Sequence, residues 1–206
     1  MAITKKITYV RPNTDAVFPI FTGDVLATVL SKRQSAIDSG KLTTNISMSS
    51  DELTKIMTFT IADIDTLNQY TNSITLAQQC PTLVEYALNE KSGLAVTRTD
   101  ELTGIDQPFT VTTVYTSPEG TPITSPLGMS LDDFPSTYFG NSRDLQVCVE
   151  LNDSKVTHLT TTANTLTVVH QYNDCNDFNA TNWSDTYIVV PLNALGITKT
   201  VQFALV

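Results

Sequence analysis

Apolar and polar residues alternate with a period of two over residues 3–10, where Ile3, Ile7 and Tyr9 share a face with Lys5, and this predicts a strand. Residues 11–23 collect Pro12, Asn13, Asp15, Pro19 and Gly23 and read as a loop. Val25, Leu26, Val29, Leu30 and Ile37 then recur at helical spacing. Thr22 or Asp24 can cap the start of that helix and Gly40 can end it. Leu42, Thr44, Ile46 and Met48 alternate, Ser49-Ser50-Asp51-Glu52 turns the chain, and Leu53, Lys55, Met57, Phe59 and Ile61 alternate again, as in a β-hairpin. Thr60 followed by Asp63 imitates a capping box, so Ile61, Ile64 and Leu67 would face the core from a short second helix. Pro81 suits the first position of a further helix, whose face is Leu83, Val84, Ala87 and Leu88 and whose end is Lys91 and Gly93. Leu94 to Arg98 reads as the last strand of this half.

The order β-α-β-β-α-(α)-β is that of the ferredoxin-like plan, a four-stranded antiparallel sheet with helices on one face. It also resembles half of a dimeric α+β barrel, in which two such sheets pack face to face. After Thr103-Gly104 the texture changes. Phe109, Val111, Thr113 and Tyr115 alternate, and residues 116–142 then hold Pro118, Pro122, Pro126 and Pro135, as in a long ordered excursion or arm. Strands resume at 145–151, 155–161, 165–172, 186–190 and 199–206, with a turn at Ala163-Asn164 and a polar loop at 173–185. Several strands and no convincing helix predict a β-sandwich or jelly-roll-like module. The expected class is therefore α+β: a ferredoxin-like domain over 1–103 and a mainly antiparallel β-sandwich domain over 104–206, with a Pro-rich arm at 116–142.

Composition sharpens the strand reading. Thr supplies 34 of 206 residues, and its β-branched side chain suits a pleated, half-exposed surface better than a helix. The formal charge is −9. Residues 104–206 hold 3 basic and 10 acidic groups, or −7, so this half should repel phosphate and not bind nucleic acid directly. Cys80, Cys148 and Cys175 are odd in number and far apart, which disfavours a disulfide framework and fits a reducing compartment. Lys5 and Lys6 are followed by no apolar stretch of the kind a signal peptide needs, and no apolar run is long enough to span a membrane. The sequons at Asn45, Asn152, Asn179 and Asn182 are then chance matches in a Thr-rich chain.

Candidate chemistry is sparse. His158 and His170 are the only histidines, and a tight turn at Ala163-Asn164 would bring their strands together, with Cys175 nearby. No metal-ligand spacing supports a zinc site, so strand histidines are the expectation. The loop Asn173-Asp174-Cys175-Asn176-Asp177-Phe178-Asn179, with Thr181 and Asp185, is rich in oxygen donors. It lacks the Gly and Glu of the twelve-residue calcium loop, which leaves an irregular calcium site as the alternative to the better reading, a set of Asx turns. Asp132 and Asp133 are adjacent on an extended stretch and point to opposite faces, so they do not form an acid–base pair. No nucleophile motif and no phosphate-cradling glycine loop is present. The expectation is a protein that is not an enzyme and holds no cofactor and no metal; the alternative is a ferredoxin-like small-molecule binder or cofactor-independent enzyme.

The opening Met1 to Thr14, the helix after it and the hairpin Ile46 to Phe59 resemble small virion structural proteins of tailed phages, especially contractile-tailed marine ones. The resemblance covers roughly the first 90 residues and rests on texture and element order. The Thr-rich C-terminal half is similar to phage head-decoration, neck and tail modules. This implies a multi-copy, non-catalytic assembly role, with other virion proteins and copies of itself as partners, in a particle built in the host cytoplasm. Ile56 and Tyr9, on a sheet expected to leave uncovered one face of apolar and Thr side chains with few charges, and Trp183, in the polar loop Asn182-Trp183-Ser184-Asp185, are the expected interface residues. Trp183 equally suits a plug at the end of its own sandwich.

Overall fold

The computed structural model describes residues 2–118, 156–162, 164–180 and 196–206, without the side chains of residues 80, 156–161 and 166. The chain divides into two compact units, Met1–Asp106 and Gln107–Val206. It is a mixed α+β protein with two antiparallel sheets.

The first unit runs β1 (Ile3–Val10), α1 (Gly23–Asp38), β2 (Leu42–Met48), β3 (Thr54–Ile61), α2 (Ile64–Asn72), α3 (Leu76–Lys91) and β4 (Thr97–Thr103). The strands lie in the order β2-β3-β1-β4, every pair antiparallel. Directly opposed residues share a face, so the register sorts every side chain of the sheet. Ile3, Ile7, Tyr9, Phe59, Ile61, Leu42 and Leu102 fall on one face and are buried. The other face carries the row Thr43–Thr60–Thr4–Thr103 across all the strands, and beside it Thr8, Thr54, Thr58, Thr97 and Thr99.

The helices differ from the sequence expectation in register. In α1 the buried line is Val29, Arg33 and Ala36, while Leu26, Leu30 and Ile37 are exposed. Ile61 ends β3 and is not part of α2. Asp63, not Thr60, caps α2, accepting from the Thr66 N–H. Pro81 lies inside α3, because a Thr75/Gln78 capping box starts that helix earlier. A proline there forfeits one backbone hydrogen bond. The last strand is Thr97–Thr103 and not 94–98: the Leu94 N–H still closes α3 by donating to the Asn89 carbonyl at 2.8 Å, and pairing with β1 begins only at Thr97.

The loop after β1 is pinned at both ends. Arg11 donates to the carbonyls of Glu52 and Ala16, each at 2.9 Å, and its guanidinium sits 4.6 Å from the Phe18 ring centre. The buried Asn89 amide of α3 donates to the Val17 carbonyl at 2.8 Å.

The second unit holds β5 (Phe109–Thr116), β6 (Val156–Thr161), β7 (Thr165–Tyr172), α4 (Cys175–Asn179) and β8 (Thr198–Leu205), with strand order β6-β7-β5-β8. Phe109, Val111, Val168, His170, Tyr172 and Phe203 are buried on one face. Phe178 of α4 packs on that face, its ring centre 5.1 Å from Tyr172 and 6.0 Å from Phe109. The opposite face again carries threonines: Thr110, Thr112 and Thr116 with Thr165, Thr167, Thr198 and Thr200. The short helix α4 inside the polar loop was not expected from the sequence, which offers it too few residues for an apolar period. Its cap, Asp174 accepting from the Asp177 N–H, is local. Among the described residues this unit forms a single sheet. The expected arm at 116–142, beyond its first residues, and the expected strands at 145–151 and 186–190 lie outside the described residues, as do Asp132 and Asp133.

Candidate functional site

The densest grouping of polar side chains lies on the covered face of the first sheet. Arg98 and Asp100 are two apart on β4 and so share a face. The Arg98 guanidinium grips the Asp100 carboxylate with both arms, at 2.6 and 2.7 Å. Lys5 of β1 reaches the same carboxylate at 2.9 Å. Two cations on one anion leave the cluster with a net positive charge. Burial alone would raise the Asp100 carboxyl, but the Arg98 hydrogen bonds and charge, and then Lys5, outweigh it and hold the group below its ordinary value. Burial likewise opposes the Arg98 charge, and Asp100 reverses that, so the guanidinium stays firmly protonated.

Three tyrosines border this pair. Tyr9 lies beneath Arg98, with the guanidinium 5.9 Å from its ring centre, and meets Phe18 edge-on at 6.3 Å. Tyr70 packs on Phe59 at 4.9 Å and is pushed up to about 12 by burial. Tyr86 comes from α3, and burial drives its phenol upward too. The Tyr86 hydroxyl is buried beside Tyr9 and Arg98; a weak pull from Arg98 opposes the effect of burial on it, but among the described residues it makes no well-formed hydrogen bond. A buried hydroxyl without a partner carries a desolvation cost of about 1–3 kcal/mol.

Arg33 of α1 extends the cluster. It is buried, donates from Nε to the Ser73 hydroxyl at 2.7 Å and from Nη2 to the Tyr70 carbonyl at 3.3 Å, and lies 4.0 Å from the Tyr70 ring centre. Burial lowers its pKa. The cluster therefore sets one guanidinium, an ammonium and three phenols about the Asp100 carboxylate, with Arg33 joined to it through Tyr70. It suits an anion or a planar polar group, and it equally suits a purely internal tie between helices and sheet.

Of these groups the sequence singled out only Tyr9, and for an interface rather than for this cluster. The Arg98–Asp100 spacing on a strand was a readable signal, and so was Arg33 at helical spacing from Val29 and Ile37. Residues expected at an interface fare differently. Tyr9 is a buried residue of the covered face and offers little surface to a partner, which corrects that expectation. Ile56 is half-buried on the uncovered face, opposite Thr8. The pleat sends Ile7, Tyr9, Met57 and Phe59 to the helices and leaves chiefly threonines outside, with Ile56 and Val10. Lys5 and Lys55 also fall on the helix side by register, leaving Lys6, paired with Glu101 at 2.9 Å, as the outer lysine of β1. Trp183 lies outside the described residues.

In the second unit the register sets His158 across from Val169, not from His170. His170 is buried and stacks on Tyr172 at 6.2 Å, and burial lowers its pKa. Cys175 is buried in the first turn of α4. Among the described residues no group of three or more His, Cys, Asp or Glu is placed to hold a metal. The oxygen-rich loop spends its carboxylates on itself: Asp177 accepts from the Asn173 N–H at 3.0 Å and from the Asn173 amide at 3.2 Å, and Asp174 caps α4. Among the described residues no helix is long and apolar enough to cross a membrane.

No known family matches the sequence, and no curated protein does. Among solved structures, one assigned as a glycine cleavage system transcriptional repressor is 13% identical, with 100% of this chain and 99% of that one covered and a TM-score of 0.23. One assigned as a monooxygenase from Lactobacillus acidophilus NCFM is 7% identical over 100% and 94%, with a TM-score of 0.28. The regulatory subunit of aspartate kinase from Thermus thermophilus is 12% identical over 91% and 90%, at 0.19. Likenesses at these scores carry no argument about fold or activity.

Proposed function

We propose that this chain is a non-catalytic structural protein that acts in many copies by protein–protein contact, of the kind that builds the tail, neck or head of a tailed phage. The observation that carries the reading is the set of large apolar side chains left exposed on the first unit: Leu26, Leu30, Ile46, Met48, Val84 and Leu88. Exposed apolar side chains grouped on neighbouring elements mark interaction sites, and Leu26 and Leu30 of α1 and Ile46 and Met48 of β2 lie on such neighbours. The Thr-paved sheet faces and the acidic second half fit a stable, soluble surface component rather than a nucleic-acid binder. In this reading the first unit is ferredoxin-like, from its element and strand order, and the second is a β-sandwich or jelly-roll-like module. Its partners are other virion proteins and copies of itself, and its place is the particle. Mass spectrometry of purified particles, with stoichiometry, tests it: the chain should be present in many copies, and its absence from the particle overturns the reading.

A second reading, a small-molecule binder or cofactor-independent enzyme, draws on one observation, the unmatched Tyr86 hydroxyl beside Arg98 and Asp100. A ligand acceptor at that hydroxyl would relieve its desolvation cost. Titration of small carboxylates against the protein, followed by NMR, separates the two. Saturable shifts confined to Tyr9, Tyr86 and Arg98 favour binding, and unchanged spectra favour assembly.

A further inference from the structure

The first sheet has two edges, and they are built differently. At one edge β4 reads Thr-Arg-Thr-Asp-Glu-Leu-Thr, with Arg98, Asp100 and Glu101 along seven residues. Charged side chains on an edge strand deter a further strand from pairing with it. At the other edge β2 reads Leu-Thr-Thr-Asn-Ile-Ser-Met, with no charge, no proline and no bulge against β3. Its outer backbone pairs with no strand among the described residues, and every residue after Leu42 is exposed. Ile46 and Met48 are 54% and 46% exposed on the side of the sheet where α1 runs alongside, and α1 itself leaves Leu26 and Leu30 exposed. An uncharged edge strand flanked by apolar side chains is a template for strand addition.

The geometry points to a second copy of this chain as the occupant, its β2 pairing antiparallel with this one across a two-fold axis at Asn45. A two-fold interface presents the same patch twice, so it must be complementary to itself, and β2 is. Centred on Asn45, the pairing sets Thr44 against Ile46 and Leu42 against Met48 on the α1 side, and Thr43 against Ser47 on the other. The ends match in charge. Lys41, whose ammonium also reaches Asp63, precedes the strand and the acidic turn Asp51-Glu52 follows it, so antiparallel pairing brings the lysine of each copy toward the acidic turn of the other. The strand between them carries no charge to repel its own image. The inference deepens the assembly reading by naming the contact between copies, and it holds or fails in solution whether or not the protein belongs to a particle.

The test uses the full chain and substitutions at Asn45, which is exposed. Light scattering should give the wild type a mass of two copies or a multiple of two. Asn45→Lys and Asn45→Glu each bring like charges together at the axis, and each should halve the mass with the circular dichroism spectrum unchanged. Mixing the two variants should restore the wild-type mass, because opposite charges then meet. If either variant misfolds, the doubles Thr43→Lys/Ser47→Lys and Thr43→Glu/Ser47→Glu, which set like charges directly across the same pairing, serve in their place. A wild type that is monomeric at high concentration overturns the inference, and leaves β2 to a strand of another protein. So does an oligomer that survives both charged variants, which would put the contact elsewhere. Neither outcome touches the particle stoichiometry on which the virion reading stands.

Discussion

The carboxylate of Asp63 holds Thr66 twice, accepting from its backbone N–H at 2.8 Å and from its hydroxyl at 2.6 Å. Lys41 adds a third donor at 3.2 Å. One exposed side chain thus ties the start of α2 to the residue that precedes β2.

Replacing Asp63 by Ala should therefore destabilise the first unit by about 1 kcal/mol, the usual worth of an N-cap. The pH dependence follows from the same contacts. The Thr66 hydroxyl first, then the Thr66 N–H and Lys41, lower the carboxyl from 3.8 to about 2. A group whose folded value is depressed stabilises above its unfolded value and loses that contribution as pH falls through the folded one. The stabilising effect of Asp63 should be complete above about pH 4 and fade toward pH 2. Denaturant titrations of the wild type and Asp63→Ala at both ends of that window check it: the two should converge in acid.

Gly104 ends β4 with φ of +93°, and a Cβ there would strike the Ala2 carbonyl. Gly104→Ala should cost about 1–3 kcal/mol, since both the backbone conformation and the close approach resist a side chain. Thermal unfolding monitored on the first unit checks this, and an unchanged midpoint would refute it.

Tyr86→Phe removes a buried hydroxyl with no hydrogen-bond partner among the described residues. Deleting it should leave stability unchanged or raise it by about 1 kcal/mol. A clear loss would mean that the hydroxyl has a partner in solution, and would favour the binding reading of the cluster.

In the second unit burial lowers the pKa of His170. The unfolded chain then takes up its proton at a higher pH than the folded unit does. Stability conferred by the neutral imidazole is present above pH 6.5, the unfolded value, and should decline as pH falls below it. His170→Gln should flatten that decline, as read from unfolding midpoints across the window.

The sequence by itself determined most of the strands. Period-two alternation survives in a single strand because the pleat is local, and so Ile3, Ile7 and Tyr9 on one side and Thr4 and Thr8 on the other were separable by eye. The hairpin of β2 and β3 was legible for the same reason, and its turn is held by local contacts, Ser49 and Asp51 accepting from Thr54 and Leu53. The Thr bias was visible as a preference for strands, but only the register showed that threonines of separate strands line up in one row. That alignment depends on pairings between residues far apart in the chain.

The helices were legible as helices and misread in rotation. Leu26, Leu30 and Ile37 looked like the inner face of α1, while the structure buries Arg33 there, because Tyr70 and Ser73 of the next helix supply the contacts that make burying a guanidinium tolerable. No local pattern announces such partners. Asp100 is a mixed case, with Arg98 two residues away in the chain but Lys5 supplied by another strand, and for β2 the seven uncharged residues become an open edge only once the strand order is known. Local periodicity is a property of a segment, whereas edges, buried charges and unmatched hydroxyls are properties of what the rest of the chain brings to it.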